Sequence, residues 1–144
     1  MTDVKVKKIN SEAIIPEYVH EGDSGMDVYS VNDCELKPGG RELVRTGLVF
    51  EIPIGYEIQV RPRSGLAIKK GVTVLNAPGT VDSSYRGELG VILINHSNET
   101  YSVKKGERVA QIVLSQVEKM VLKEVGELSD TERGPGGFGH TGNK

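Results

Sequence analysis

A chain of 144 residues with a net charge of −2 has room for one domain with a real core, and too little positive charge to hold nucleic acid by its overall field. Hydrophobic residues make up 37% and charged residues 26%, and no apolar run approaches the length of about eighteen that a membrane span requires, which excludes wholesale disorder and a membrane-crossing helix. The lone Cys34 has no partner for an internal disulfide and reads as a small buried or half-buried side chain, while Met1-Thr2-Asp3-Val4-Lys5 lacks the apolar stretch of a signal peptide, so the expected compartment is the cytoplasm.

Glycine, at 18 residues spread along the chain, implies many turns. Lys37-Pro38-Gly39-Gly40 and Pro53-Ile54-Gly55 are the first two with turn chemistry, and Tyr56, Ile58 and Val60 then show the two-residue alternation of a half-buried strand. A short helix is expected from Ser64, as N-cap, through Leu66 and Lys70 to a stop at Gly71. The stretch from Asn76 to Glu88 reads as a hairpin, with Pro78 and Gly79 in its turn and with Thr80 and Asp82 aimed to one face by the alternation about Val81. Val91 and Leu93 oppose Ile92 and Ile94 on the next strand, and His96-Ser97-Asn98 and Lys104-Lys105-Gly106 supply two more turns. The pattern is that of an all-β domain over 1–125. From 126 to 144 the apolar periodicity stops, leaving a glycine-rich tail.

Three features bear on chemistry. Arginines accompany glycines in turn-like sequence, as at Arg63, Arg86, Arg108 and Arg133, and planar guanidinium groups suit phosphate oxygens. Any single one of them is equally at home in a surface ion pair. Asp82 is a carboxylate on a presented strand face, able to take a proton from water beside a phosphate, though an aspartate in a turn often serves only its own backbone. In the same stretch Tyr85 also fits an ordinary core position, and Glu88 also fits a pairing with Arg86. The tail combines Arg133, five glycines, Phe138 and Thr141, which is what a flap needs to wrap phosphates and cover a base. It lacks the Gly-Lys-Ser/Thr ending of a P-loop.

Five ordered segments resemble the trimeric dUTPase family: Gly25-Met26-Asp27-Val28-Tyr29-Ser30, Arg61-Pro62-Arg63-Ser64-Gly65-Leu66-Ala67, the Asn76 to Glu88 stretch, Gly106-Glu107-Arg108-Val109-Ala110-Gln111-Ile112, and the tail from Arg133 to Gly142. The second, third and fifth are the specific ones. The resemblance spans nearly the whole chain and implies a compact, jelly-roll-like β-barrel that assembles as a homotrimer with active sites at subunit boundaries. It implies conversion of dUTP and water to dUMP and pyrophosphate with Mg2+, without direct nucleic-acid or membrane binding. Asp82 is then the base that activates water, with Gln111 helping to position it. Arg63, Ser64 and Gly65 are expected on the phosphates, Asn76 and the Gly79-Thr80-Val81 backbone on uracil, and Tyr85 against the deoxyribose. Asp27 anchors the metal through water. From the tail, Arg133 clamps phosphate, Phe138 covers uracil, and Gly139 and Thr141 complete the wrap.

One position departs from the family pattern: His140 stands where serine is usual before Thr141-Gly142, exchanging a hydroxyl for an imidazole. Two other readings stay open on sequence. A relative of the same fold that deaminates dCTP would need a catalytic glutamate and different base contacts; a non-enzymatic nucleotide sensor would be expected to lack Asp82, the tail or an arginine.

Overall fold

The computed structural model describes residues 1–142. In chain order its strands are β1 (Lys5–Lys8), β2 (Met26–Tyr29), β3 (Cys34–Leu36), β4 (Arg41–Glu51) and β5 (Tyr56–Arg61). Helix α1 (Ser64–Lys70) follows, then β6 (Val72–Val74), β7 (Gly79–Val81), β8 (Glu88–Asn95), β9 (Tyr101–Val103) and β10 (Arg108–Gln116). One four-stranded sheet has the order β1-β4-β8-β6 and a second β2-β10-β5-β7, with β3 and β9 forming a two-stranded ribbon. Every pairing is antiparallel. This is the expected all-β, jelly-roll-like barrel with one short helix.

The alternation seen in the sequence decides which side chains face inward. On β8 every second residue is buried, so Val91 and Leu93 enter the core while Ile92 and Ile94 sit half-exposed on the other face. On β5, Ile58 and Val60 are buried and meet Ile112 of the neighbouring β10 in one cluster. Each such aliphatic side chain is worth roughly 1.5–3 kcal/mol when taken fully out of water. The four expected turns lie between β3 and β4, β4 and β5, β8 and β9, and β9 and β10. Cys34 is half-buried, and burial pushes its thiol pKa up, with Glu42, Asp33 and Glu107 adding to the rise.

Two local expectations change. Arg63, not Ser64, is the N-cap of α1: it keeps extended dihedrals and makes no side-chain cap bond, its guanidinium being engaged with Asp27 instead. The helix ends as expected at Gly71, whose left-handed φ of 64° suits glycine and lets its N–H return to Ala67. The Asn76–Glu88 stretch is also not a ladder hairpin. Val72 and Val74 join β8, whereas Val81 pairs with Ile58 of β5, so residues 75–78 turn the corner from one sheet to the other. Among the described residues no helix is long and apolar enough to cross a membrane.

Leu93 is fully buried between the sheets. Leu93→Ala is expected to lower unfolding free energy by about 2–5 kcal/mol, read as a lower denaturant midpoint with an unchanged slope.

Candidate active site

The phosphate-oriented residues converge at one end of β5. Asp27 of β2 lies directly opposite Gln111 of β10, which is in turn opposite Arg61, the last residue of β5. Two residues on, Arg63 sends Nε to Asp27 Oδ1 at 3.0 Å, and Arg108 Nη1 meets Asp27 Oδ2 at 3.3 Å. One carboxylate against two guanidiniums leaves this cluster positively charged. Arg63 Nη1 also donates to the main-chain oxygen of Arg108 at 3.3 Å, tying the two arginine-bearing segments together. Gln111 Nε2 donates to Pro62 O at 3.0 Å, and Gly25 leaves room for that side chain, since a Cβ there would stand 2.8 Å from Gln111 Oε1.

Arg108 reaches Asp27 because β10 carries a bulge. Its register against β2 shifts between Arg108 and Ala110, so one extra residue, the buried Val109, opposes nothing on β2. Without the bulge, Arg108 and Gln111, three residues apart, would face opposite sides of the sheet; with it they share Asp27's side. The guanidinium of Arg108 lies 5.8 Å from the ring centre of Tyr29, a cation–π contact that fixes the same direction. Beside the cluster, Tyr101 donates its hydroxyl to Glu107. Burial first and this bond second raise the Tyr101 pKa, while Arg63 pulls the other way, so the tyrosine remains a proton donor.

The base-oriented residues gather at the other edge of β5. Thr80 and Asp82 are exposed and Val81 is buried, the alternation expected of this strand. Asn76 is exposed, and its amide nitrogen stands 3.4 Å from where a Cβ on Gly79 would be, so the amide lies along the β7 backbone. Tyr85 returns its N–H to Asp82 O at 3.1 Å and its hydroxyl to Glu88 O at 3.1 Å. Thr80, Asp82, Tyr85 and Glu88 line a cavity of about 170 Å3. Glu88 pairs not with Arg86 but with Arg45 of β4, and Arg86 bonds the main-chain oxygens of Ser83 and Tyr85.

Asp82 and Tyr85 lie toward the far end of β5 from the Asp27 cluster, whereas Gly79, opposite Val60, comes next to Arg61. Val81 is opposite Ile58 while Gln111 is opposite Arg61, and β7 and β10 flank β5 on different sides. Asp82 continues away from Arg61, opposite the Glu57 end of β5, and Arg63 lies two residues past the other end, so about four residues of strand, or roughly 13 Å at 3.3 Å per residue, already separate the level of Asp82 from Arg61.

The last strand ends at Gln116, and the segment from 118 to 142 carries no strand or helix. Its hydrogen bonds join its own residues: Arg133 Nε to Gly136 O at 2.9 Å, His140 N to Gly137 O at 3.0 Å and Gly142 N to Gly139 O at 2.8 Å. Arg133, Gly139, His140 and Thr141 line one cavity of about 690 Å3 together with Thr131 and Glu132. Phe138 is fully exposed. The sequence marked Arg108 only as one of several arginines suited to phosphate and Glu88 only as a candidate partner of Arg86; the contact of the first with Asp27 depends on the bulge, and the partner of the second lies 43 residues away.

A family model described as dUTPase matches residues 11–142. The deoxyuridine 5'-triphosphate nucleotidohydrolase of Nautilia profundicola is 59% identical over 139 residues, covering 96% of this chain and 98% of that one. Among solved structures, the Staphylococcus bacteriophage 80alpha dUTPase with dUPNHPP superposes with a TM-score of 0.89 at 28% identity, over 99% of both chains. The dUTPase of phage phi11 of S. aureus, in a mutant form whose structure concerns coordination of a structural Mg(II) ion, superposes with a TM-score of 0.78 at 25% identity, over 87% of this chain and 97% of that one. With a family model over almost its whole length and a full-length relative at this identity, the chain belongs to the dUTPase family.

Proposed function

We propose that this protein hydrolyses dUTP to dUMP and pyrophosphate, limiting uracil incorporation into DNA and supplying dUMP for thymidylate synthesis, at sites shared between subunits of a homotrimer. The observation that carries the shared site is the separation of the Asp82–Tyr85 group from the Asp27–Arg63–Arg108–Gln111 group along β5. A nucleoside triphosphate needs a base, a sugar and a phosphate contact at once, so a second copy must bring the missing half. Family membership supports the reaction, as does the dUTP analogue bound by the phage relative. Residues 1–125 act as the barrel domain, and 126–144 as the tail that closes a site; residues 143 and 144 lie outside those described. The cytoplasm is the working compartment.

In this reading Asn76 and the Gly79-Thr80-Val81 backbone hold uracil by hydrogen bonds of fixed polarity, and the ring of Tyr85 packs against the deoxyribose so that a 2′-hydroxyl would overlap it. Arg63 takes phosphate oxygens. Ser64 and Gly65 offer backbone N–H groups that the helix leaves unpaired, since the first intrahelical bond runs from Ala67 to Arg63. Asp82 accepts the proton of a water as its oxygen attacks the α-phosphorus. The bond from that phosphorus to the bridging oxygen breaks, and pyrophosphate leaves in line. Gln111 orients the water or a phosphate. Arg133, Gly139 and Thr141 wrap the phosphates, and Phe138 covers the base.

Asp27 is the residue that would hold Mg2+. No group of three His, Cys, Asp or Glu side chains gathers among the described residues, and both Asp27 oxygens already face guanidiniums. That donor set fits a hydrated ion bound by water to one carboxylate and otherwise by substrate oxygens, which is the habit of Mg2+. The chemistry supplied when it is bound is withdrawal of charge from the phosphate oxygens.

Purified protein given Mg2+ and, separately, dUTP, dCTP, UTP and dTTP is expected to release pyrophosphate from dUTP and no ammonia from dCTP; ammonia would indicate a deaminase and silence on all four a sensor. Asp82→Asn should lower kcat by roughly 100- to 10,000-fold with little change in KM.

Subunit sharing has its own test. Asp82→Asn and Arg63→Ala proteins, each inactive alone, are expected to regain part of the parent activity when unfolded together and refolded as a mixture, because some sites then combine two intact halves. No recovery in a mixture shown to contain mixed oligomers would place each whole site within one chain.

His140 shares its cavity with Arg133 and Glu132, and its ring lies 2.5 Å from where a Cβ on Gly136 would stand. His140→Ser is expected to shift KM for dUTP more than kcat; an unchanged KM would remove His140 from the phosphate contacts.

A further inference from the structure

Tyr85 is only half-covered, 48% exposed, yet it is tied at both ends: its N–H to Asp82 O and its hydroxyl to Glu88 O. The hydroxyl crosses directly over Gly87, where a Cβ would overlap it. The ring's position therefore depends on where the backbone at Glu88 is held. That backbone is held by its own side chain. Arg45 donates from Nε at 2.9 Å and Nη2 at 2.7 Å to Glu88 Oε2, and Gly47 N donates to Glu88 Oε1 at 2.8 Å.

Both donors come from an irregularity in β4. Its register against β8 moves from Arg45 opposite Gly90 to Val49 opposite Glu88, so the residues between them exceed their partners. Gly47 sits in this bulge with φ 69°, and a Cβ there would stand 2.8 Å from Asn10 Cβ, so glycine is required. The bulge turns the Gly47 N–H toward the Glu88 carboxylate. The Glu88 side chain is 17% exposed and that of Arg45 62%, so a largely covered carboxylate is clamped by one backbone donor beneath and one arginine from outside.

We propose that Arg45, acting through Glu88, is a positioning residue that fixes the Tyr85 ring and thereby sets how strongly the enzyme rejects a 2′-hydroxyl. The inference rests on the reading that Tyr85 packs against the deoxyribose. Arg45 itself touches no proposed substrate contact. A ring that can yield by a few tenths of an ångström admits the extra oxygen of a ribonucleotide while still packing against a deoxyribose, so loosening it favours UTP over dUTP. Two guanidinium N–H groups on one carboxylate oxygen fix its direction, which a single lysine ammonium does not.

The experiment compares kcat/KM for dUTP and for UTP in the parent and in Arg45→Met, Arg45→Lys, Gly87→Ala and Tyr85→Leu, with thermal unfolding followed for each. In Arg45→Met the dUTP/UTP ratio is expected to fall by about tenfold through misplacement of the ring, with Arg45→Lys restoring only part of it. Gly87→Ala displaces the hydroxyl from the other side and should move the ratio in the same direction. A merely structural Arg45 would lower the unfolding temperature, or both kcat/KM values together, and leave the ratio alone. If Tyr85→Leu lowers the ratio while Arg45→Met and Gly87→Ala keep it within about twofold of the parent, the Arg45 inference is overturned and the Tyr85 filter stands. If Tyr85→Leu leaves the ratio unchanged, the filter itself falls, and the Arg45 inference falls with it.

Discussion

Strand β5 pairs with β10 along one edge and with β7 along the other, and this double pairing governs where every candidate group lies. The β10 edge carries Gln111 opposite Arg61 and, through the next strand, Asp27; the β7 edge carries Thr80 opposite Gln59 and ends just before Asp82. Strand rise cannot be compressed, so Asp82, one residue beyond Val81 opposite Ile58, stays apart from Arg61 and the cluster beyond it however the side chains rotate. In the proposed reading a second copy brings its phosphate contacts onto a nucleotide whose base is held by the first. Assembly is then part of the proposed chemistry and adds to it more than stability.

In the proposed reading the Asp27 cluster keeps the phosphate half of the site ready. Two guanidiniums brought together without an anion would repel, and Asp27 holds them in register from opposite oxygens at 3.0 and 3.3 Å. Arg63, Arg108 and Asp27 are partly exposed, so phosphate oxygens can approach the same donors from outside. Exchange of one carboxylate for a triphosphate needs little movement of the arginines, which lowers the reorganisation required on binding. Tyr101 and Glu107 close the flank, with the hydroxyl kept protonated by burial.

The sequence carried the parts of this arrangement that depend on period two. Alternation at Ile58 and Val60, at Val91 and Leu93, and at Thr80 and Asp82 about Val81 placed side chains on the correct faces because strand geometry leaves little choice. Breaks in the period were not legible. The bulge after Arg108 turns that residue to Asp27, and the bulge around Gly47 builds the Glu88 clamp; each inserts residues whose effect appears only when the partner strand is known. Proximity in sequence misled at Glu88, where Arg86 stood two residues away and Arg45 took the carboxylate across the sheet. It misled again at residues 76–88, where adjacent strands joined different sheets.

The tail poses a different problem, one of entropy. Ordering a backbone costs conformational entropy at every residue, so fixing the segment from Arg133 to Gly142 onto a ligand from a free chain would oppose the proposed closure. The turns within the segment reduce that cost: Gly134, Gly139 and Gly142 adopt φ of 52°, 80° and 81°, and the bonds at Arg133, His140 and Gly142 hold Arg133, His140 and Thr141 around one cavity. A tail that already turns back on itself has less freedom to lose on closing. Its glycines therefore serve twice, supplying backbone shapes that other residues adopt at a cost and, at Gly134, Gly136 and Gly142, donating the N–H groups that hold those turns.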